Sequence, residues 1–347
     1  VVRSERVDLV VLAGDVYDRA LPPVDAVELA DDAFARLAAS RAAVVVSSGN
    51  HDSPARLGFN ARLADAAGVH LRTRWQDVGS PVLLSDEHGP VAVHAIPYLE
   101  PDAVRTAWQL PERSHEAALT SAMARVTADL AERPGTRSVV LAHAFVAGAA
   151  PSASERDLAV GGAASVPAST FAGVDYVALG HLHAPQRVGA NGRYAGSPVA
   201  FSFSEAGHEK SVCMVEVGEE VVTRVVACPV ARPLARLRGT LDELLADPAH
   251  RAAEDAWVQV TLTDPTRASD AMERLRRRFP HTAALLFDPQ GATAGADGTY
   301  AARLRGLDDD GLVARFVADV RGTEADQDEL ALLRDALAAQ RVREAVA

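Results

Sequence analysis

Four short apolar runs constrain this chain more than any other feature: residues 7–13 (VDLVVLA), 43–46 (AVVV), 139–142 (VVLA) and 174–179 (VDYVAL). Each is followed by residues of metal-ligating type, in order Asp15, Asn50 with His51, His143, and His181 with His183. Runs this apolar, without polar alternation, predict strands of a sheet covered on both faces. The helical patterns at 24–39, 54–67 and 114–131 alternate with them, which predicts an α/β architecture. In open α/β sheets, ligands bind beyond the carboxyl ends of the strands. If the four strands are neighbours, their polar ends meet at one place. Imidazole, carboxylate and amide oxygen together suit Mn, Fe or Zn better than Ca.

Taken singly, each of these pieces has an ordinary structural explanation. Gly14-Asp15 is a common turn. Asn50-His51-Asp52 ahead of Pro54 equally suits a helix N-terminus, with Asp52 or Ser53 as cap. One histidine at a strand end, such as His143, is more often a satisfied buried residue than a ligand. His181 and His183 face one way if the backbone is extended, and form a polar turn if it is not. The information lies in the order of the set.

Beyond residue 200, runs at 212–217 and 221–227 joined by Gly218-Glu219-Glu220 predict a β-hairpin. The character changes at 229–233, between Pro229 and Pro233. There follow a strand at 234–237, a helix at 241–246, a strand at 257–262, a helix at 269–279 and a strand at 282–287, a small separate α/β domain. Residues 288–299 are rich in Gly and Ala and read as a linker, and 308–320 and 324–345 as amphipathic helices. The expected domains are therefore 1–230, 231–290 and 291–347. Two cysteines, Cys213 and Cys228, supply neither a disulfide framework nor a four-thiolate metal site. No apolar run approaches the ~18 residues of a membrane span and no leader pattern is visible, so a reducing, cytoplasmic setting is expected. The net charge of −12 argues against nucleic-acid binding by bulk charge but leaves a local patch open. All of the 35 basic residues except Lys210 are arginines.

The ordered set Gly14-Asp15, Gly49-Asn50-His51-Asp52, His143 and Gly180-His181-Leu182-His183 resembles the calcineurin-like metallophosphoesterases. Further segments are similar to the SbcD-type nuclease subunits within that family: GDVYDRALPP (14–23), GNHDSPARL (49–57), IPYLEP (96–101), HAFVAGA (143–149), SERDLAVGG (154–162), DYVALGHLHAPQ (175–186) and GSPVAFSFSEAG (196–207). The resemblance implies a two-sheet sandwich flanked by helices, a small α/β capping domain after Pro229, and C-terminal helices that dock on the coiled coil of an SbcC-type ATPase. It implies two divalent metals, Mn2+ foremost with Mg2+ as the alternative. Asp15 would bridge them, Asn50, His143 and His181 would complete one site, and His183 would serve the other. His51 would assist the transition state or the leaving oxygen without ligating metal, and Asp52 would orient nearby groups.

The implied activity is hydrolysis of DNA phosphodiester bonds at double-strand ends and hairpins, in repair, recombination and replication. Double-stranded DNA and a second copy of the chain would be partners, the homodimer forming through the helices after Pro22-Pro23 and Pro54. The family opens on a strand bearing Asp-X-His, and Asp8 does not stand in for it. One metal site is therefore expected to be incomplete and the chain to be truncated or mis-started, with its activity in question. The alternatives are another phosphoesterase acting on small phosphodiesters, or a non-catalytic scaffold subunit. Arg19, Arg56, Arg187 and Arg193 lie near the motifs and read first as solvated surface residues. Arg274, Arg276, Arg277 and Arg278 form the better candidate DNA patch, although a helix spreads them around its circumference.

Overall fold

Strand β1 (Leu9–Ala13) pairs in parallel with β2 (Ala43–Ser47), and β2 in parallel with β3 (Val69–Arg72). These belong to a computed structural model that describes residues 1–152, 155, 165–289, 304, 306–321 and 323–346, with backbone alone for 338–346. It divides into two units, Val1–Leu234 and Ala235–Ala347.

In the first unit, helix α1 (Val24–Ala38) links β1 to β2, and α2 (Pro54–Leu57) and α3 (Ala61–Ala66) lead into β3. The chain continues through β4 (Val82–Asp86), β5 (Gly89–Ile96), α4 (Pro101–Trp108), α5 (His115–Ala131), β6 (Arg137–His143), β7 (Phe145–Val146) and β8 (Ser165–Val166). It ends with β9 (Tyr176–Gly180), β10 (Gln186–Val188), β11 (Gly192–Tyr194) and the hairpin β12 (Ser211–Val217) and β13 (Val221–Ala227). A six-stranded sheet runs in the order β10-β11-β9-β6-β5-β4. Its inner neighbours pair in parallel, and β4 and β10 pair antiparallel at the two edges.

Side chains alternate across each strand, and the cores record this. On one face, Val140 and Ala142 of β6 and Val177 and Leu179 of β9 pack with Ala118, Ala122 and Val126 of α5. On the other, Val139, Leu141, Tyr176 and Ala178 pack with Val45 of β2, Leu9 and Val11 of β1, and Val215 and Val217 of β12. Val44 and Val46 face outward from the small sheet onto Phe34, Leu37 and Ala64. The result is helix, sheet, sheet, helix. This is the expected two-sheet sandwich with flanking helices, held by burial on both faces of each sheet.

One helix expectation is corrected. Residues 54–67 form two short helices, not one. The chain turns at Asn60, whose φ of 60° is left-handed. Gly58 abuts Thr73, whose hydroxyl donates to the Pro54 carbonyl at 2.8 Å. Helix α5 begins as expected, with Ser114 Oγ accepting the Ala117 N–H at 3.1 Å.

The second unit holds a sheet ordered β14 (Leu234–Gly239), β15 (Trp257–Leu262) and β16 (Thr282–Phe287), with the last two parallel. Helices α6 (Leu241–Ala246) and α7 (Ala271–Arg278) complete it. Val258, Val260, Leu241, Leu244, Leu275 and Phe279 form its core. Thr240 and Glu243 form a reciprocal capping box at the start of α6. Helices α8 (Asp309–Arg321) and α9 (Gln327–Val346) follow, joined by an Arg334–Asp310 ion pair at 3.1 Å. Among the described residues no helix is long and apolar enough to cross a membrane. Of the SERDLAVGG segment only Glu155 is described, and the predicted linker lies outside the described residues from 290 onward.

Candidate metal centre

The loop after β1 opens with Gly14 and Asp15, both at positive φ, 85° and 52°. Asp15 is the unusual member, since a side chain in the left-handed region costs about 1 kcal/mol or more. Its Oδ1 accepts the backbone N–H of His51, in the loop after β2, at 3.0 Å. Asp52 clamps the same two loops. Its buried carboxylate accepts N–H donors from Gly49 at 2.8 Å, Val16 at 3.1 Å and Tyr17 at 2.9 Å. Burial, with the charge of Asp15 beside it, pushes the Asp52 carboxyl above its usual range against those three bonds.

Asp15 goes the other way. Burial raises it, but the His143 imidazole and the His51 N–H outweigh burial and hold it low.

His143 ends β6 and is buried. Its Nδ1 meets the Ala13 carbonyl at 2.8 Å. A carbonyl only accepts, so Nδ1 carries the hydrogen. Nε2 then faces Asn50 Oδ1 at 2.9 Å and Asp15 Oδ2 at 3.3 Å. A bare lone pair aimed at a carboxylate oxygen is repulsive. A proton or a cation between them makes the arrangement attractive, and a cation leaves the imidazole neutral, as a ligand must be.

His181 follows β9 at φ 102°, well outside the usual range for a side-chain-bearing residue. It is buried, with its ring 5.5 Å from that of His143. Burial first, and then the neighbouring His143, depress its pKa to about 4. It therefore stays neutral with an open lone pair at physiological pH. Asp15, His143 and His181 each present a ligand atom within 4.8 Å of the others, the one such group among the described residues.

Glycines make the approach possible. A Cβ on Gly49 would lie 2.0 Å from Asp15 Oδ1, and one on Gly180 would lie 1.7 Å from the Ala13 carbonyl oxygen. The donor set, the depressed pKa of His181 and this close backbone approach fit a divalent cation of the Mn, Fe or Zn type.

The structure thus brings Asp15, Asn50, His143 and His181 together. His183 stands outside that group. Its Nδ1 meets Glu205 Oε1 at 3.0 Å, its N–H donates to Glu155 Oε1 at 2.8 Å, and its ring lies 5.4 Å from Phe201. His51 is turned so that Nδ1 donates to the Asp18 carbonyl at 2.8 Å. Sequence reasoning assigned no role to Glu205, Glu155, Lys210 or Tyr98. Tyr98 packs edge-on to His143 at 5.6 to 6.4 Å from the His115 and His143 rings, and its hydroxyl donates to Glu100. Three of these lie in the quoted segments IPYLEP, SERDLAVGG and GSPVAFSFSEAG, and the fourth is the lone lysine.

The family model of the calcineurin-like phosphoesterases matches residues 1–185, more than half of the chain. The chain belongs to the calcineurin-like phosphoesterases. A second model, the SbcD C-terminal domain described as the Type 5 capsule protein repressor C-terminal domain, matches residues 230–321. Together the two matches are those of an SbcD-type chain, a phosphoesterase joined to the C-terminal domain of that group. Metal dependence belongs to the phosphoesterase family, and the group at Asp15, His143 and His181 is where this member can meet it.

The arginines of α7 are engaged within their own unit. Arg274 pairs with Asp242 at 2.7 Å, Arg277 with Glu273 at 2.7 Å and Arg278 with Glu254 at 3.1 Å. Arg276 donates to the Thr282 carbonyl. Phosphate contacts here would have to compete with existing partners.

Proposed function

We propose that this phosphoesterase is a DNA nuclease subunit that hydrolyses phosphodiester bonds at double-strand ends and hairpins, working in the cytoplasm with an SbcC-type ATPase. The observation that carries the reading is the meeting of four strand-end motifs at one buried metal-binding group, in a chain whose C-terminal part matches the SbcD domain. Asp15, Asn50, His143 and His181 would hold one divalent cation and His183 would serve a second, Mn2+ foremost. Such a pair supplies neutralisation of the phosphate and a nucleophile at neutral pH.

The chain's own residues do the rest. Asp52 locks the loops that carry Asp15 and His51 by accepting three backbone N–H groups. His51 donates its Nδ1–H to the Asp18 carbonyl, so Nε2 is the acceptor of the neutral ring and gives a proton or hydrogen bond where charge develops on the substrate only when the ring is an imidazolium. As metal ligands, His143 and His181 add no negative charge, which keeps the site's net charge favourable to an anion. Outside the site, Val24, Leu29, Phe59 and Leu63 are exposed on and around α1 to α3 and suit a homodimer face. Phe316, Val320 and Leu332 are exposed on α8 and α9 and suit docking on a coiled coil.

The test is cleavage of end-labelled linear duplex DNA and of a small chromogenic phosphodiester, with Mn2+, by the full chain alone and with the ATPase. Degradation of linear duplex supports the nuclease reading, and bound Mn2+ without cleavage marks the site that His183 serves as incomplete, as the resemblance implies. His51→Ala should cut the rate ~10²–10⁴-fold while Mn2+ and DNA are still bound. Hydrolysis of the small diester with DNA left intact by both preparations would instead identify a phosphoesterase of small substrates.

A further inference from the structure

Behind His183 lies a buried ion pair. Glu205, in the turn before β12, has a side chain with no solvent exposure, and Lys210 is almost as deeply buried. The Lys210 ammonium bonds Glu205 Oε2 directly. It also donates to Ser197 Oγ at 2.8 Å and to the backbone carbonyl of His183 at 3.2 Å. Glu205 Oε1 faces His183 Nδ1 at 3.0 Å. One cation thus holds the carboxylate that meets the imidazole and the backbone that carries it.

Burying two charges costs several kcal/mol per ion before pairing, and an apolar pair of the same size is often as stable or more so. Stability alone is therefore a weak reason for this arrangement. Its chemistry is better matched to orientation. A carboxylate held by an ammonium is an acceptor, so it requires the hydrogen on His183 Nδ1, and in the neutral ring Nε2 is then the lone-pair atom. This carboxylate–imidazole linkage is how proteins fix the tautomer and direction of a metal-binding histidine. The residue type fits as well. In a chain whose other basic residues are all arginine, the group here is a compact ammonium with three donors, facing three oxygens: Glu205 Oε2, Ser197 Oγ and the His183 carbonyl.

We propose that Glu205 and Lys210 are positioning residues that fix His183 as its Nδ1–H tautomer and so set the affinity of the cation site that His183 serves. The affinity part rests on the reading of His183 as a ligand; the tautomer part does not. The first measurement is therefore the pair of imidazole 15N shifts of His183 in the metal-free full chain. We expect Nδ1 to be pyrrole-like and Nε2 pyridine-like. The opposite tautomer, or an even mixture, overturns the proposal whatever the metal does.

The second is Mn2+ titration by calorimetry of the wild type, His183→Ala, and the charge-neutral double variant Glu205→Leu/Lys210→Met, which leaves no unpaired buried charge. We expect His183→Ala to abolish one phase of binding. The double variant should weaken that same phase ~10–100-fold, leave any other phase unchanged, and melt no lower than wild type. If His183→Ala removes a phase and the folded double variant binds like wild type, the positioning role fails while the ligand reading stands. If His183→Ala binds Mn2+ as wild type does, the ligand reading fails and the affinity part of the proposal fails with it. Should the double variant not fold, the tautomer measurement on the wild type decides alone.

Discussion

Gly180 shows what the site demands of one residue. It ends β9 directly before His181, and a Cβ there would fall 1.7 Å from the Ala13 carbonyl oxygen and 2.9 Å from His143 Nδ1. That carbonyl is the one that fixes the His143 tautomer. Gly180→Ala should therefore push β9 from β1 and disturb His143 and His181 together. We expect a loss of about 3 kcal/mol or more, with Mn2+ affinity down at least ~10-fold. Gly207→Ala is the control, since a Cβ there meets nothing within 4 Å and should change stability by under ~0.5 kcal/mol. Urea melts and Mn2+ titrations of both variants check this; equal behaviour would show that β9 tolerates the shift. The ligand-type residues were legible in the sequence because each follows a strand that announces itself by continuous apolar character. Glu205 and Lys210 were not. They meet His183 across 22 and 27 residues, through tertiary packing that no local pattern records.

At the scale of elements, β5 and α5 are tied by a buried polar contact. His94 Nε2, inside β5, meets Asp129 Oδ2 of α5 at 3.0 Å, and Asp129 is itself held by Arg133. Burial lowers the His94 pKa, against the pull of Asp129. The unfolded chain takes up that proton near pH 6.5, whereas the folded chain does so only at lower pH. Between those points the unfolded state binds more protons, so stability rises with pH there. The contribution is complete above about pH 6.5 and is lost as pH falls. Urea midpoints from pH 8 to 5 should therefore drop more steeply for wild type than for His94→Gln, even though the variant starts lower. Parallel curves would show that His94 does not titrate between the states. Element reading from sequence worked for the long apolar strands, for α5 with its Ser114 cap and for the β12–β13 hairpin. It missed β10 and β11, three residues each, of which β11 pairs with the edge of β9 and β10 with β11. It also ran α2 into α3, because nothing in the apolar spacing of 54–67 shows the left-handed turn at Asn60.

At the scale of the molecule, the chain comprises a two-sheet phosphoesterase unit and a second α/β unit followed by two helices. The net charge of −12 fits a protein whose anionic substrate is recognised by bound cations and not by bulk charge. The sheet order brings β1, β2, β6 and β9 side by side in two facing layers, so residues 166 positions apart in sequence, from Asp15 to His181, share one site. This convergence is expected to hold a divalent cation. Its most direct measurement is Mn2+ content per folded full chain by elemental analysis after desalting, for wild type and His143→Ala. We expect at least about one equivalent in the wild type and its loss in the variant with the fold intact. A wild type that retains no Mn2+, or a His143→Ala chain that retains as much as wild type, would contradict it.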